Sequence, residues 1–422
     1  MFFIRKIILT LRSFYRYEYM KIKSTLFIST LLCISCFISC IQDEAPNAEA
    51  DIHTCFVPDL SDEYRSGGKT IPLSLGAHLV NIWVKPNMFD KLPDEIQLTP
   101  EFTLTDGATI YPYSGTTLTF KKSEQYEQTY TVTAEDGKHL KDYVVKISPQ
   151  AEFLVGEDNT RYFSFEYYDD SEKFHTLYDI FDGEVDKSWT SANGGFSVVH
   201  GAAPAEEYPT YCTENGYKGR GVKVTTCYVG KLGEWSKMPI AAGNFFIGTF
   251  EKDQAMKAPL QSTKFGIRVM QKPTHIDFWY KFHREPKYTD EKLNVLPDMI
   301  EYPDVYAVFF KPKKDKLGND IPLDGSNILT ADNIVLLAKL NYDDVIVEEG
   351  DIETAEYHHM DIPFTPQNGL EVDEDILNDG GYYLTIVFTS SYKGDLFYGA
   401  IGSCMYIDEL TVHFEPKTNS EE

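Results

Sequence analysis

The sequence predicts an all-β protein, in which a small immunoglobulin-like β-sandwich is followed by a larger jelly-roll β-sandwich. The chain of 422 residues contains 28 Tyr and 27 Phe, which together with its β-branched runs are typical of strands. Its 28 Gly and 21 Pro divide these runs into short segments, as turns between strands do. A hydrophobic content of 42% is enough for more than one sizeable core.

Residues 1–39 have the pattern of an export signal. Basic side chains from Arg5 to Lys23 precede the apolar run STLFISTLLCISCFISC, which is too short for a convincing membrane span. Met1 and Met20 are both candidate start residues. The run ends at Cys40 in FISC, and this sequence resembles a bacterial lipobox, in which a signal peptidase cuts before a cysteine that becomes lipidated.

The segment after the signal indicates where the exported protein is held. The polar stretch IQDEAPNAEAD resembles the acidic export signal that follows the lipid cysteine in surface lipoproteins of polysaccharide-degrading gut bacteria. Residues 40–47 are therefore interpreted as an acidic tether on a lipid anchor, in the outer membrane and facing the cell surface. Cys36 is a second lipidation candidate, and an ordinary cleaved signal is the alternative.

The charge of the chain excludes one class of partner. The formal net charge is −26, and the exported part is more acidic still because residues 1–39 hold six basic side chains and one acidic one. Such a surface repels nucleic acid and anionic headgroups, so binding by phosphate neutralisation is excluded. Neutral glycans and divalent cations remain candidate ligands, and solubility is the simpler explanation of the acidity.

Four cysteines follow the export segment, at positions 55, 212, 227 and 404. Cys212 and Cys227 flank the turn-rich segment TENGYKGRG, so they either form a disulfide across a hairpin or remain buried thiols. No CxxC pair or paired-histidine motif of a structural zinc site is present.

Residues 48–150 predict the small immunoglobulin-like β-sandwich. The runs LVNIWVKP, QLTPEFTLT, QTYTVTAEDG and KDYVVKI are separated by Pro, Gly and Asp about every ten residues. The pattern YTVTAEDG…YVVKI resembles the small sandwich repeats next to the anchor in surface glycan-acquisition lipoproteins, which implies a spacer. Trp83 alternates with Ile82 and Val84, so it is either an exposed ligand platform or a contact with a neighbouring segment.

The sequence of residues 152–416 predicts the jelly roll, and residues 417–422 are predicted to be a tail. Roughly ten to twelve strand-like runs over this length, with few helical ones, suit two packed sheets. In Gly381–Phe414 two long strands flank a glycine-rich loop and carry apolar groups on both faces. We therefore expect this pair to be a central hairpin around which the domain packs.

A series of motifs runs through the second domain in a fixed order. The motifs are GF (195–196), YPT (208–210), AAGNFFIGTF (241–250), STKFG (262–266), DFWYKF (277–282), DVYAVFF (304–310) and TIVFTSSYKGDLFYGAIGS…YIDEL (385–410). In these motifs the domain resembles a known family, the putative carbohydrate metabolism domain of gut-bacterial surface lipoproteins. The resemblance covers nearly all of residues 160–415, and it implies a fold similar to jelly-roll carbohydrate-binding modules.

Aromatic, amide and arginine side chains in predicted loops are the candidates for sugar binding. Aromatic rings stack on the apolar faces of sugars, while amides and Arg bind the hydroxyl groups. Loop aromatics are better candidates than Trp279 and Tyr280, which are predicted to be core. The alternative is that the loop tryptophans cap the ends of the sandwich. The six candidates are Trp189, Asn193, Tyr208, Tyr211, Arg220 and Trp235.

Two carboxylates are candidates for a structural calcium site, the one cofactor that the sequence raises. Glu166 in FSFEYYD and Asp408 in YIDEL occupy places comparable to those where jelly-roll binding modules tie their first and last strands together with Ca²⁺. A salt bridge or an exposed carboxylate is the alternative for each of them.

Glycoside hydrolysis is the main catalytic alternative. It needs two carboxyl groups about 5–5.5 Å apart for retention or about 6.5–9.5 Å apart for inversion, and no local pattern selects a pair. GxSxG, P-loop and HExxH motifs are absent from the sequence, and the adjacent histidines of EYHHMD point to opposite faces if they lie on a strand. The candidate carboxyl groups are Glu166, Asp169, Asp170, Glu184, Asp277, Asp408 and Glu409.

The sequence therefore predicts a lipid-anchored surface protein that binds glycan for polysaccharide acquisition without catalysis. A glycoside hydrolase or lyase that uses a carboxylate pair is the first alternative. A structural or protein-binding surface protein, for example of the fimbrial type, is the second alternative, and protein partners are left open.

Overall fold

The computed structural model describes residues 46–73 and 77–417. The predicted signal, the lipidation candidate Cys40 and most of the tether lie outside these residues. Within the described ranges, the helices are all too short or too polar to cross a membrane.

The first domain is a β-sandwich with one short helix, α1 (Pro86–Phe89). Strands β2, β1 and β5 form one sheet, β3, β9, β8 and β6 form the second, and β4 pairs with β7. Strand β3 runs parallel to β9, and Val80, Ile82 and Val84 of β3 are buried while Trp83 is 38% exposed. The strands are β1 (Ile52–Phe56), β2 (Thr70–Pro72), β3 (Leu79–Val84), β4 (Glu95–Leu98), β5 (Glu101–Leu104), β6 (Thr109–Tyr111), β7 (Leu118–Lys121), β8 (Glu127–Thr133) and β9 (Leu140–Pro149).

The second domain consists mainly of strands, with three short helices: α2 (Asn193–His200), α3 (Lys231–Trp235) and α4 (Glu374–Asn378). Its strands are β10 (Thr160–Phe163), β11 (Tyr167–Asp169), β12 (Thr176–Phe181), β13 (Glu184–Asp186), β14 (Trp189–Thr190), β15 (Thr210–Thr213), β16 (Gly221–Thr225), β17 (Cys227–Tyr228), β18 (Ile240–Ala241), β19 (Asn244–Phe250), β20 (Thr263–Phe265), β21 (Ile267–Val269), β22 (Pro273–His283), β23 (Tyr288–Thr289), β24 (Asp304–Phe310), β25 (Lys313–Lys314), β26 (Asp320–Ile321), β27 (Ile334–Lys339), β28 (His358–Pro363), β29 (Thr365–Pro366), β30 (Tyr382–Thr389), β31 (Gly399–Ala400) and β32 (Cys404–Phe414).

Two large antiparallel sheets face each other in this domain. The six-stranded sheet has the order β15-β16-β32-β22-β28, with β10 also paired to β32. The eight-stranded sheet has the order β14-β19-β30-β24-β27-β29, with β20 and β21 added to β19 and β30. The core between them contains the inward residues of both sheets, and the predicted all-β sandwich fold is confirmed.

The predicted central hairpin at Gly381–Phe414 is wrong in one respect. Both of its strands exist and both are central, but β30 lies in the eight-stranded sheet and β32 in the six-stranded sheet. The connection therefore crosses from one layer to the other. Each strand is apolar on its inner face because both sheets contribute to the same core.

Hydrogen bonds join the described residues of the two domains. Gln150 Nε2 donates to Tyr383 Oη at 2.6 Å, and that hydroxyl donates to Asp320 Oδ2 at 3.1 Å. Arg268 Nη2 donates to Ser66 Oγ at 2.8 Å. These contacts fix the first domain against the strands β21 and β30 of the second.

All four cysteines of the described residues are free thiols. The disulfide between Cys212 and Cys227 that the sequence left open is therefore not formed. Burial raises the pKa of both thiols to about 12, so neither is an activated nucleophile.

Candidate functional site

A large concave site lies on the outer face of the eight-stranded sheet. Strand alternation places Phe245 and Ile247 of β19 in the core and turns Phe246 outwards. By the same alternation Tyr306 of β24 and Val387 of β30 lie on this outer face. The outer face of this sheet is therefore apolar, whereas the outer face of a sheet exposed to water would carry polar residues.

Loops and helix α2 enclose that surface and form a cleft with a volume of about 440 Å³. We call it the apolar cleft. Its volume lies within the range of roughly 300–1,000 Å³ that is typical of small-molecule sites. Its floor is Phe246, Tyr306 and Val387, and its walls include Phe196, Leu260 and Phe397.

A few polar groups converge on one wall of the apolar cleft. Asp304 is 3% exposed, and Lys339 Nζ donates to both of its oxygens at 2.6 Å. Burial raises the pKa of Asp304 in spite of the lysine. Asp395 lies at the open rim, where loss of surrounding water also raises its pKa. Apolar walls with a few polar groups of shifted pKa are typical of binding and active sites.

A group of three tyrosines packs beside Asp304 and Lys339. Tyr302 and Tyr342 are stacked with ring centroids 5.4 Å apart, and the ring of Tyr392 contacts both. Lys339 Nζ lies 5.4 Å from the centroid of the Tyr342 ring, so the ammonium that pairs with Asp304 also contacts an aromatic face. Of these three tyrosines, Tyr392 lines the cleft, and Tyr302 and Tyr342 pack against its ring.

Three of the six predicted sugar-binding residues are instead buried. Trp189 is 2% exposed because it lies in strand β14, where its ring stacks on Phe245 at 4.4 Å. Tyr208 is 1% exposed and packs against Phe196. Asn193 is 1% exposed and exchanges two hydrogen bonds with the backbone of Thr210. The prediction that these side chains form a loop-borne binding face is wrong, since they support the structure from within.

The other three are at least partly exposed and lie on separate elements of the fold. Trp235 is 82% exposed at the end of helix α3. Tyr211 lies on the edge strand β15, and Arg220 Nε donates to Glu214 Oε1 at 2.8 Å in the turn that follows. A glycan face that combines all six residues is thus not formed.

The two predicted calcium ligands hold the same turn, residues 214–220. Glu166 accepts hydrogen bonds from the Arg220 backbone N–H at 3.1 and 3.2 Å. Asp408 Oδ2 accepts one from the Lys218 backbone N–H at 2.9 Å, and burial raises the pKa of Asp408 to about 7. Glu409 follows in a bulge with φ of 53°. Backbone N–H groups occupy these carboxylate oxygens, and calcium binding here stays a prediction.

The adjacent histidines of EYHHMD point to opposite faces, as predicted. His358 Nε2 lies 2.7 Å from Glu348 Oε1, whereas His359 Nε2 lies 3.0 Å from Asp277 Oδ1 on the outer face of the six-stranded sheet. Trp279 corrects another expectation, because it is half-buried on that outer face and stacks on Tyr217 at 3.9 Å.

The residues of the apolar cleft were missed by sequence reasoning, although a signal for them exists. The motifs AAGNFFIGTF and DVYAVFF are apolar on both strand faces, which indicates that a second apolar layer covers the outer side. What covers it cannot be read from these motifs, because the walls come from several separate loops and from helix α2.

Comparisons with known proteins agree with the two-domain description. Residues 164–413 match the family model described as putative carbohydrate metabolism domain, and residues 93–147 match the model of the N-terminal region of surface glycan-binding proteins. No curated protein matches the chain.

Two solved structures are similar to the chain over most of their own length. A protein described as a putative glycoside hydrolase from Bacteroides thetaiotaomicron is 33% identical, with a TM-score of 0.66, and the match covers 90% of this chain and 100% of that one. A second, also described as a putative glycoside hydrolase, from Bacteroides vulgatus, is 30% identical with a TM-score of 0.53, covering 60% and 98%. The resemblance predicted from the sequence is confirmed: the chain belongs to the putative carbohydrate metabolism domain family.

Proposed function

We propose that the protein is a lipid-anchored cell-surface protein that binds a segment of a glycan in the apolar cleft, without catalysis. The observation that carries this proposal is the cleft itself, a largely apolar concavity lined by aromatic rings with polar side chains among them. Membership of a carbohydrate-related family and the match of the first domain to surface glycan-binding proteins support the same class of ligand and a cell-surface location.

The chemistry of the cleft suits a sugar chain. Phe250, Tyr392 and Phe397 are half-buried at its mouth, so each offers part of a ring face to a ligand. Aromatic faces stack on the C–H faces of sugar rings, while Asn244 and Ser391 in the lining offer hydrogen bonds to hydroxyl groups. The acidic surface does not oppose this binding, because neutral sugars carry no charge.

The lipid anchor forms a separate part of the proposal, which rests on Cys40 and the export pattern before it. In cell fractionation we expect the native chain in the outer membrane and a Cys40→Ser variant in the soluble fraction. A Cys36→Ser variant is the matched control, and it should remain in the membrane. Membrane retention of Cys40→Ser would contradict the anchor but not the glycan site.

Glycan binding is tested by truncating an aromatic ring at the mouth of the cleft. A Phe397→Ala variant loses a stacking surface, and we expect its affinity for the glycan found on a glycan array to fall at least tenfold, by isothermal titration calorimetry. A stacked ring contributes about 0.5–1.5 kcal/mol beyond the area it buries, and the loss of both contributions gives a change of this size.

The control for this experiment is Tyr113→Ala, which removes a 71% exposed ring from the first domain. Its affinity should equal that of the native protein. If Phe397→Ala binds as tightly as Tyr113→Ala, with both variants melting at the native temperature, the cleft is not the binding site. If no glycan on the array binds the native protein, the glycan proposal fails as a whole.

A glycoside hydrolase is the second candidate, and one observation favours it. Asp304 and Asp395 both line the cleft and both have raised pKa values, as a general acid requires. The bidentate contact of Lys339 with Asp304 favours binding over hydrolysis, since it occupies both oxygens of the second carboxylate. Sugar release from a polysaccharide panel that is lost in Asp395→Asn would establish the hydrolase and overturn non-catalytic binding.

A further inference from the structure

The outer face of the six-stranded sheet carries a cluster of imidazoles and carboxylates. His275 and Asp277 lie two residues apart on β22 and therefore on one face, and Ile276 between them is fully buried in the core. His413 of β32 lies directly opposite His275 in the antiparallel register. Three side chains from two neighbouring strands thus meet by strand alternation and register alone.

The distances within this cluster are those of a site that could close around one ion. Asp277 Oδ2 lies 2.6 Å from His413 Nε2, and the rings of His275 and His413 are stacked with centroids 3.9 Å apart. Ligand atoms of all three residues lie within 4.8 Å of one another. In a tetrahedral site with bonds of about 2.0–2.1 Å, ligand atoms are roughly 3.4 Å apart, so a small rotation of the side chains brings them to a shared ion.

The residues around the cluster orient its ligand atoms and add negative charge, and both favour the binding of a cation. Thr274 Oγ1 lies 3.1 Å from His275 Nδ1, so a hydrogen bond holds the ring and leaves Nε2 for coordination. Asp361 on β28 lies 3.9 Å from that Nε2 and adds negative charge. Within the described parts of the chain, the ion-pair partners of Asp277 are His359 and His413, and no lysine or arginine competes with a metal for it.

We propose that His275, Asp277 and His413 form a binding site for a divalent transition metal of the Zn²⁺ class. Two imidazoles and one carboxylate are a ligand set that suits Zn²⁺, whereas Ca²⁺ prefers oxygen ligands alone. Three protein ligands leave the fourth position of a tetrahedral ion for water or for a donor from a bound molecule. The site is on the sheet opposite the apolar cleft, and it does not depend on glycan binding there.

Metal binding is measured by titrating the purified full chain with ZnCl₂ in competition with a colorimetric zinc chelator. We expect one equivalent of Zn²⁺ to bind, and its affinity to fall at least tenfold in His275→Ala and in His413→Ala. Thr274→Val, which removes only the hydroxyl beside His275 Nδ1, should weaken binding by about tenfold. CaCl₂ at the same concentrations should not displace the zinc.

His139→Ala is the matched control, because His139 of the first domain also pairs with one carboxylate, Asp136, but has no second imidazole beside it. Its zinc affinity should be native. Asp277→Asn keeps the shape of the cluster while removing the charged ligand, and it guards against a variant that merely fails to fold. With Co²⁺ in place of Zn²⁺, the intense visible absorption of a four-coordinate ion should appear in the native protein and not in this variant.

Several outcomes would overturn the site. They are the absence of stoichiometric Zn²⁺ binding to the native chain, equal affinities of His275→Ala, His413→Ala and His139→Ala, and the weak absorption of six-coordinate Co²⁺. In each case the cluster would be a hydrogen-bonded link between strands and not a metal site.

Discussion

The outer faces of the two large sheets differ in how they are covered. On the eight-stranded sheet the outward residues Phe246, Tyr306 and Val387 are apolar. The loops that surround these residues leave the apolar cleft open above them. On the six-stranded sheet the outward residues Lys281 and Asp408 are charged and almost fully buried. In both sheets the side chains of each strand alternate between the core and the outer face. The two outer faces therefore differ because their outward residues are of different types.

The difference determines what each face can bind. An apolar face can retain a cleft that a ligand can enter, because apolar groups need no specific partner. A charged face must be paired residue by residue, and the loops 214–220 and 341–357 supply those partners to the six-stranded sheet. The first face is therefore suited to a ligand with a broad apolar surface, and the second to few, directional contacts.

The largest effect expected from this comparison is that of a charge placed on the apolar face. Val387 is 3% exposed, and Val387→Asp buries a carboxylate without a partner, which should lower the free energy of unfolding by about 3 kcal/mol or more. Lys281→Met on the other sheet should change it by less than about 1 kcal/mol. Lys281 lies over the rings of Tyr357 and Tyr406, and a thioether chain retains that packing.

Both variants are compared with the native protein by denaturant unfolding at neutral pH. If Lys281→Met is destabilised as much as Val387→Asp, the charge of Lys281 is required for stability. The proposed difference between the two outer faces would then be wrong. A native-like Val387→Asp would show that the carboxylate reaches water through the cleft.

Sequence reasoning predicted the fold from features that are local. Alternation and turn residues located β30 and β32 and the two-domain architecture, because burial of one strand face depends on neighbours two residues away. It failed where the outcome depends on distant pairing. Trp189 stands beside turn residues in sequence, but its pairing with Ile247 makes it a core strand residue.

The candidate site was harder to predict for the same reason. Phe246 and Tyr306 could be identified as outward and apolar from their own strands, but the loops that cover them come from several separate segments of the chain. The carboxylates Glu166 and Asp408 were predicted as calcium ligands, and the structure gives them the backbone N–H groups of Arg220 and Lys218 as partners. Backbone donors leave no trace in the identity of the residue that carries them.

Asp408 gives the next effect, a dependence of stability on pH. Burial raises its pKa from 3.8 to about 7 in the folded chain, so the folded state binds a proton more tightly than the unfolded state. The stabilisation is complete below the unfolded value and is lost as the pH rises through about 7. We expect Asp408→Asn to remove this loss, so that the difference in unfolding free energy between variant and native protein grows in the variant's favour from pH 4 to pH 7.

Asp361→Asn is the control for this pH series, since Asp361 lies on the same sheet face but its side chain is 55% exposed. Its curve should run parallel to that of the native protein. Parallel curves for Asp408→Asn as well would mean that Asp408 is ionised throughout this range, held by the N–H groups of Lys218 and Glu409.

The smallest effect concerns Glu353, which lies in the loop that covers the six-stranded sheet and forms an ion pair with Lys223 of that sheet. Burial alone would raise its pKa, but hydrogen bonds from Tyr406 and Asn215 and the charge of Lys223 outweigh it and lower the pKa to about 2. Its stabilisation is therefore present above the unfolded value of 4.5 and is lost as the pH falls towards 2. Because its side chain is 49% exposed, we expect Glu353→Gln to lower the free energy of unfolding by only about 1 kcal/mol at pH 7 and by nothing at pH 2. Glu356→Gln is the control, because Glu356 is exposed in the same loop. It should leave the free energy of unfolding unchanged at pH 7 and at pH 2. An equal loss in both variants would mean that the total charge of the loop, and not the pairing of Glu353, holds the loop on the sheet.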